Sequence, residues 1–324
     1  MAEMNMIQAV NATLDAMLAQ DPRVVVLGED VGKNGGVFRA TDQLFDRYGP
    51  ERVIDTPLAE SGIIGTSIGM AVGGLLPIAE IQFMGFLYPG LDQLISHAGR
   101  MAARSMGQVR VPLVVRVPFG GGIRAPEQHA DSAEAYLVHT PGLKVVVPST
   151  PYDAKGLLYA ALHDPDPVVV MEPIRLYRMG RQEVPEEPYL VPLGTARTVR
   201  SGTDITVITW GNMVAVAEAA AAALEGEASV EVLDLRSLFP LDHEAIGRSV
   251  NKTGRAVVLQ EAPRTAGLGG EVAAVIQETA FWSPEAPVAR VAGPDVPYPP
   301  YAWEDLYLPS RERLMAQVRA TLRD

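Results

Sequence analysis

Short runs of β-branched and aliphatic residues recur along this chain, separated by stretches with helical spacing. Val24-Val25-Val26-Leu27, Val53-Ile54-Asp55, Leu76 to Phe83, Val111 to Val117, Lys144 to Val147 and Val168 to Met171 are the clearest in the first half. Near-continuous apolar runs of this length suit strands buried on both faces, and a parallel sheet covered by helices buries both faces. Ahead of the first run, Met6, Ile7, Val10, Leu14, Met17 and Leu18 recur at helical spacing behind Asn5, a candidate N-cap. A short helix is predicted near Thr41 to Tyr48. Strands alternating with helices predict an α/β fold with a parallel sheet. Ligands of such sheets bind beyond the carboxyl ends of the strands. Glu29, Glu60 and the loop after Phe83 all lie there, so one mouth can contain them.

The stretch Arg181-Gln182-Glu183-Val184-Pro185-Glu186-Glu187-Pro188 is polar and proline-bearing, and reads as a linker. Alternation then resumes. Strands are predicted at Ile205 to Thr209, Val230 to Leu233, Val257 to Leu259 and Val288 to Val291. Helices are predicted at Ala215 to Leu224, Asp242 to Val250, Gly270 to Glu278 and Ser310 to Leu322. The expectation is two domains, residues 1–186 and a smaller α/β unit at 187–324.

Composition removes several function classes. The net charge is −12, which disfavours nucleic acid and anionic membrane surfaces as partners. There is no cysteine, hence no disulfide, no thiolate metal site and no cysteine nucleophile. The N-terminal residues show no basic stretch followed by an apolar core, and no apolar run reaches the ~18 residues of a membrane span. A cytoplasmic chain is expected. No GxGxxG follows the first strand, and GxxxxGK[ST] and HExxH do not occur. Gly267-Leu268-Gly269-Gly270 reads equally well as a glycine-rich turn before a helix.

Three segments carry chemistry. In Thr56-Pro57-Leu58-Ala59-Glu60-Ser61-Gly62, one carboxyl is flanked by Leu58, Ala59, Ile63 and Ile64. Apolar surroundings raise a carboxyl pKa and suit it to proton exchange with a ring nitrogen. A helix start, with Glu60 stabilised by the dipole, explains the same residue. Gly65, Gly69 and Gly73 follow four apart. Each costs about 1 kcal/mol against alanine inside a helix, so a helix packed closely against another, a second subunit's among the candidates, is the expected compensation. The second segment, Phe119-Gly120-Gly121-Gly122 to His129, is a flexible loop after a strand. His129 alone of five histidines follows so long a glycine loop. It is either a hydrogen-bonding acid for substrate or a loop histidine without a role. The third is Glu80-Ile81-Gln82-Phe83-Met84-Gly85-Phe86. Gln82 can bond a ligand and Phe86 can stack on a flat ring, or these are core and edge residues.

Together these segments resemble the beta subunit of the decarboxylating component of 2-oxo acid dehydrogenase complexes. The likeness runs through Leu27-Gly28-Glu29-Asp30-Val31, the Glu60 and Glu80 segments, Pro118 to Asp131, Pro141 to Pro151, Asp234-Leu235-Arg236-Ser237-Leu238 and Pro240-Leu241-Asp242. The resemblance implies a transketolase-like fold, with a pyrimidine-binding domain and a smaller C-terminal domain. It implies thiamine diphosphate and Mg²⁺ as cofactors. Glu60 then matches the carboxyl that bonds the aminopyrimidine nitrogen. Glu29, Leu58, Ala59, Gln82 and Phe86 match the cofactor side. Phe86, Leu87, Tyr88 and Pro89 match the substrate entrance. His129 matches a histidine that contacts substrate and assists transfer to lipoyl. The chain has no Gly-Asp-Gly, the motif that grips Mg²⁺ and diphosphate, and the family carries it on an alpha subunit. No magnesium ligand is therefore expected here. The implied assembly is two alpha and two beta chains on a lipoyl acyltransferase core.

The Glu80 to Phe83 stretch looks closer to branched-chain (2-oxoisovalerate) enzymes, with pyruvate as the alternative substrate. A non-catalytic scaffold subunit docking onto the acyltransferase is the alternative of another class. By analogy with some family members, a monovalent cation is a candidate near Asp164 and Asp166.

Overall fold

The computed structural model describes residues 1–323. The first half runs β1 (Ala2–Met4), α1 (Met6–Gln20), β2 (Val24–Gly28), α2 (Leu44–Tyr48), β3 (Val53–Asp55), α3 (Glu60–Val72) and β4 (Leu76–Glu80). It continues with α4 (Gly99–Arg104), β5 (Val114–Phe119), α5 (Glu134–Val138), β6 (Lys144–Val146), α6 (Pro151–Leu162), β7 (Val168–Pro173) and β8 (Gln182–Val184). The second half holds β9 (Arg197–Arg200), β10 (Ile205–Thr209), α7 (Asn212–Ala223), β11 (Val230–Asp234), β12 (Ser237–Phe239), α8 (His243–Thr253) and β13 (Ala256–Pro263). It ends with α9 (Leu268–Ala280), β14 (Ala289–Gly293), α10 (Glu304–Tyr307) and α11 (Arg311–Thr321).

Two large sheets organise most of these elements, with β1 and β8 forming a small third one. The larger has the order β12-β6-β7-β5-β4-β2-β3 and is parallel except for β12. The smaller has the order β14-β13-β10-β11-β9 and is parallel except for β9. The apolar runs are buried on both faces, as β2, β5, β7, β10 and β11 all show. The α/β, parallel-sheet fold class is thus the one the sequence pattern implies.

Several boundaries differ from the sequence expectation, for local reasons. The strand predicted over Val111 to Val117 starts at Val114, because Pro112 has no N–H for the ladder. The strand from Leu76 stops at Glu80, and Met84–Gly90 winds into 3₁₀ turns. The helix near Thr41 starts at Leu44, since Gln43 takes φ 65°. The linker stretch contains β8, which pairs antiparallel with β1. Buried Lys155 on α6 ties that stretch down by donating to Pro185 O and Glu186 O at 2.6 and 2.7 Å.

The halves are stitched together as well as joined. β12 comes from the second half yet pairs with β6 at the edge of the first half's sheet. Beneath it, Arg236 Nη1 donates to Asp153 Oδ1 at 2.9 Å, and Ser149 Oγ donates to Asp234 Oδ2 at 2.5 Å.

Candidate active site

Glu60 is the first residue of α3, so it does meet the positive end of a helix. Its position also brings it to the mouth. Ser61 Oγ donates to Pro89 O at 2.6 Å, which ties the start of α3 to the segment after Phe83. Glu29, just past β2, is half-buried. Its carboxyl is pushed above the usual range by burial first, then by the charges of Asp30 and Glu60. On the other wall, Gln82 Nε2 donates to Asp30 Oδ2 at 3.4 Å. The rings of Phe83, Phe86 and His129 then form a cluster. Phe83 and His129 centroids are 4.4 Å apart, and Phe86 and His129 are 4.9 Å apart. The segments bearing Glu60, Glu29, Gln82, Phe86 and His129 are thus tied together, by Ser61–Pro89, by Gln82–Asp30, by the charge of Glu60 acting on Glu29 and by the ring cluster. Among the described residues, the Glu60 carboxylate makes no hydrogen bond of its own, which leaves its oxygens open to a ligand's donor.

The His129 loop reaches this cluster by a close crossing. A Cβ on Gly85 would fall 2.3 Å from Gln128 O, and Gly85 N–H donates to that oxygen at 3.2 Å. Only glycine lets the two backbones touch. His129 Nδ1 lies 2.9 Å from Glu127 O, which directs Nε2 away from the backbone. Tyr88 O–H donates to Asp131 Oδ2 at 2.6 Å and secures the end of the loop.

Not every sequence-assigned residue faces the mouth. Leu87 is 1% exposed and packs in the core, so it is not an entrance residue of this chain; Phe86, Tyr88 and Pro89 remain at the rim. Leu58 is 73% exposed and Ala59 is exposed too, so the apolar wall expected around Glu60 is not closed by this chain. The glycine face of α3 is open at Gly69, whereas a Cβ on Gly65 would meet Gln93 Oε1 at 3.4 Å. A Cβ on Gly69 would meet nothing within 4 Å, so the helix expected against it does not come from this chain. Asp164 and Asp166, the candidate cation site, already face cations of the chain. Lys144 Nζ donates to both Asp164 oxygens at 2.6 and 2.7 Å, and Arg110 donates to Asp166 at 2.7 Å. Among the described residues, no three His, Asp or Glu side chains are grouped to hold a metal ion.

A cluster of buried charges that the sequence pattern did not single out lies within the first sheet, across β4, β5 and β7. Arg116 on β5 is 1% exposed. Its Nε and Nη2 donate to Glu172 on β7 at 2.7 and 2.8 Å, and its Nη1 donates to Glu80 on β4 at 2.5 Å. Tyr177 O–H donates to the same Glu172. Burial raises the Glu80 carboxyl, opposed by Arg116. One signal was available: a lone arginine in an otherwise apolar strand must find its counter-charge inside.

A second group lies between the halves. Glu134 opens α5 with no exposure, and Trp210 Nε1 donates to its Oε1 at 3.3 Å, while Oε2 has no partner. Burial pushes this carboxyl up to about 7, with help from the Glu261 charge. The folded state therefore holds a proton that the unfolded chain releases near 4.5. The stability this favours is full below that value and is lost as pH rises through about 7. Thermal melts of Glu134→Gln should fall less steeply from pH 5 to pH 8 than those of the parent. Parallel curves would place the proton elsewhere.

A two-domain α/β subunit whose mouth offers carboxylates and aromatic rings is a transketolase-type chain. Residues 2–179 match the family described as "Transketolase, pyrimidine binding domain", and residues 194–314 match "Transketolase, C-terminal domain". The chain belongs to the beta subunits of the first component of 2-oxo acid dehydrogenases. It is 49% identical to a pyruvate dehydrogenase E1 component subunit beta of Acholeplasma laidlawii, covering 98% of both chains. It is 50% identical to a 3-methyl-2-oxobutanoate dehydrogenase subunit beta of Mycobacterium tuberculosis, covering 99% of this chain and 92% of that one. A solved split-gene transketolase, described as an inactive beta4 tetramer, superposes with a TM-score of 0.81 at 25% identity, over 99% of this chain and 98% of that one. No helix among the described residues is long and apolar enough to cross a membrane.

Proposed function

We propose that this chain supplies the pyrimidine side of a thiamine diphosphate site that decarboxylates a branched-chain 2-oxo acid and passes the acyl group to lipoyl. What supports the reading is that the segments bearing Glu60, Glu29, Gln82, Phe86 and His129 are tied to one another through Ser61–Pro89, Gln82–Asp30, the Glu60 charge felt at Glu29 and the Phe86–His129 ring contact. The donor set fits an aminopyrimidine. Glu60 offers an unused carboxylate, Phe86 a ring face or edge, and Gln82 an amide that both donates and accepts. Diphosphate and magnesium belong, in this reading, to an alpha partner, which also closes the open side at Leu58. Thiamine diphosphate, when bound, supplies the electron sink that lets the carboxyl group leave as carbon dioxide.

The protein's part is proton placement and orientation. Glu60 holds or shares a proton at the pyrimidine nitrogen, beside Glu29, whose carboxyl burial and the neighbouring acidic charges push upward. Phe83 and Phe86 shield His129 from bulk water on one side and fix the imidazole plane. His129 then presents a ring nitrogen toward substrate for hydrogen bonding and for proton transfer during acyl transfer. Pyruvate is the second reading, favoured by the relative from Acholeplasma laidlawii.

The test is to purify the tagged chain with its partners and follow dye reduction with 2-oxoisovalerate and with pyruvate. Each is run with and without thiamine diphosphate and Mg²⁺. Cofactor-dependent turnover that prefers 2-oxoisovalerate is expected, together with a co-purifying alpha-like chain. A preference for pyruvate would replace the substrate assignment. Full turnover by the isolated chain, or none by the complex with either acid, would overturn the reading.

A further inference from the structure

The loop from Gly120 to Asp131 is strung between the two halves of the chain. Its far end touches the first half, through Gly85, Tyr88, Phe83 and Phe86. Its near end is held by buried carboxylates of the second half. Gly121 N–H donates to Glu261 Oε1, and Asn212 Nδ2 donates to Glu261 Oε2 at 3.1 Å. Arg124 N–H donates to both oxygens of Glu304, at 3.1 and 3.3 Å. Tyr298 O–H donates to Glu304 Oε2 at 2.8 Å. Tyr298 also lies against Gly121, where an added Cβ would fall 1.9 Å from its hydroxyl.

Burying carboxylates is costly unless strong donors answer them. Here the donors of Glu304 are a loop amide and the tyrosine that touches the loop, while Glu261 bonds a loop amide and the asparagine beside it. Arg175, exposed at the surface and close to Gly122, is the cation that acts on Glu261. The loop itself has little rigidity of its own. Gly120, Gly122, Arg124 and Gln128 all have positive φ, so it is built from turns with no regular ladder. A backbone N–H bound to a carboxylate is a strong, directional bond, and two of them fix the height and tilt of the loop.

We infer that Glu261 and Glu304 are positioning residues for His129, so that the second half of the chain sets where the imidazole stands in a mouth built by the first. This rests on the reading of His129 as the substrate-facing group. The role differs from plain interdomain cohesion, which β12 and the Asp153–Arg236 pair already provide.

The test uses the chain assembled with its alpha partner. Glu304→Ala, Glu304→Gln and Tyr298→Phe are compared with the parent and with His129→Ala. The readouts are tryptic nicking after the exposed Arg124, and kcat and KM for the 2-oxo acid with lipoyl as acceptor. Loss of a hydrogen bond to a charged group predicts that Glu304→Ala is nicked about tenfold faster and loses about tenfold in kcat, with KM little changed. Glu304→Gln, which keeps an acceptor oxygen, should recover most of both. Tyr298→Phe keeps the ring packing against Tyr307 and should show a smaller shift in the same direction. An unchanged nicking rate in both Glu304→Ala and Tyr298→Phe would overturn the positioning role. Failure of Glu304→Gln to recover either readout would do so too. Full turnover by His129→Ala would instead remove the histidine's chemical role, a separate result because nicking needs no turnover.

Discussion

Replacing Glu60 by alanine is expected to lower decarboxylation in the assembled enzyme about 10²–10⁴-fold, the range set by loss of one acid–base group. At 1.36 kcal/mol per tenfold, this is about 3–5 kcal/mol of transition-state stabilisation. The same change should cost the fold little. Glu60 is half-exposed at the start of α3, and among the described residues its carboxylate bonds to nothing in the chain. Its interaction with the helix dipole is lost, about 0.3–1 kcal/mol, while its repulsion of Glu29 is relieved. The two figures separate a catalytic subunit from a scaffold. Dye reduction, gel filtration with the alpha partner and a thermal melt should show collapsed turnover, intact assembly and a nearly unchanged melt. Turnover within about twofold of the parent would rule out a chemical role for Glu60, since even the weakest such group is worth about 10².

The second large effect concerns the fold. Arg116→Met leaves Glu80 and Glu172 buried side by side without their counter-charge. Breaking a buried ion pair from one side costs about 3–5 kcal/mol, a large share of the ~5–15 kcal/mol that holds a typical protein folded. The chain should unfold at a clearly lower denaturant concentration, or fail to accumulate. Neutralising all three groups at once, with Glu80→Gln, Arg116→Met and Glu172→Gln, should restore most of the loss. The harm lies in the unpaired charges, and a neutral, well-packed replacement is often no less stable. If Arg116→Met unfolds at the same denaturant concentration as the parent, water or protonation of the carboxylates already compensates for the arginine.

The two effects differ in where their cause lies along the chain. Glu60 is conspicuous locally, as a carboxyl among apolar neighbours at a strand-to-helix turn. Arg116 is conspicuous only as an exception within an apolar run, and its partners Glu80 and Glu172 lie 36 and 56 residues away. The Glu261 and Glu304 contacts to the glycine loop span 140 and 180 residues. Nothing near either glutamate distinguishes it from a surface carboxylate.

The sequence by itself determined the fold class. Burial on both faces of a strand imposes a run of β-branched residues, and helix covering imposes a period near 3.6, so the pattern is written locally. It also put Glu29, Glu60 and the segment after Phe83 at strand ends, which in a parallel sheet lie on one side. Only the tertiary structure decided the rest. It turned Leu87 inward while leaving Tyr88 and Pro89 out, because the Met84–Gly90 segment winds into 3₁₀ turns instead of continuing the strand. It left Gly69 on the glycine face of α3 without a neighbour and the side chain of Leu58 exposed, because no other part of the described chain covers them. It brought β12 across to the first sheet and the second half's carboxylates up to the His129 loop. Those outcomes depend on which distant groups meet once the layers pack, and a hydrophobic period records only that a side chain is buried, not what it is buried against.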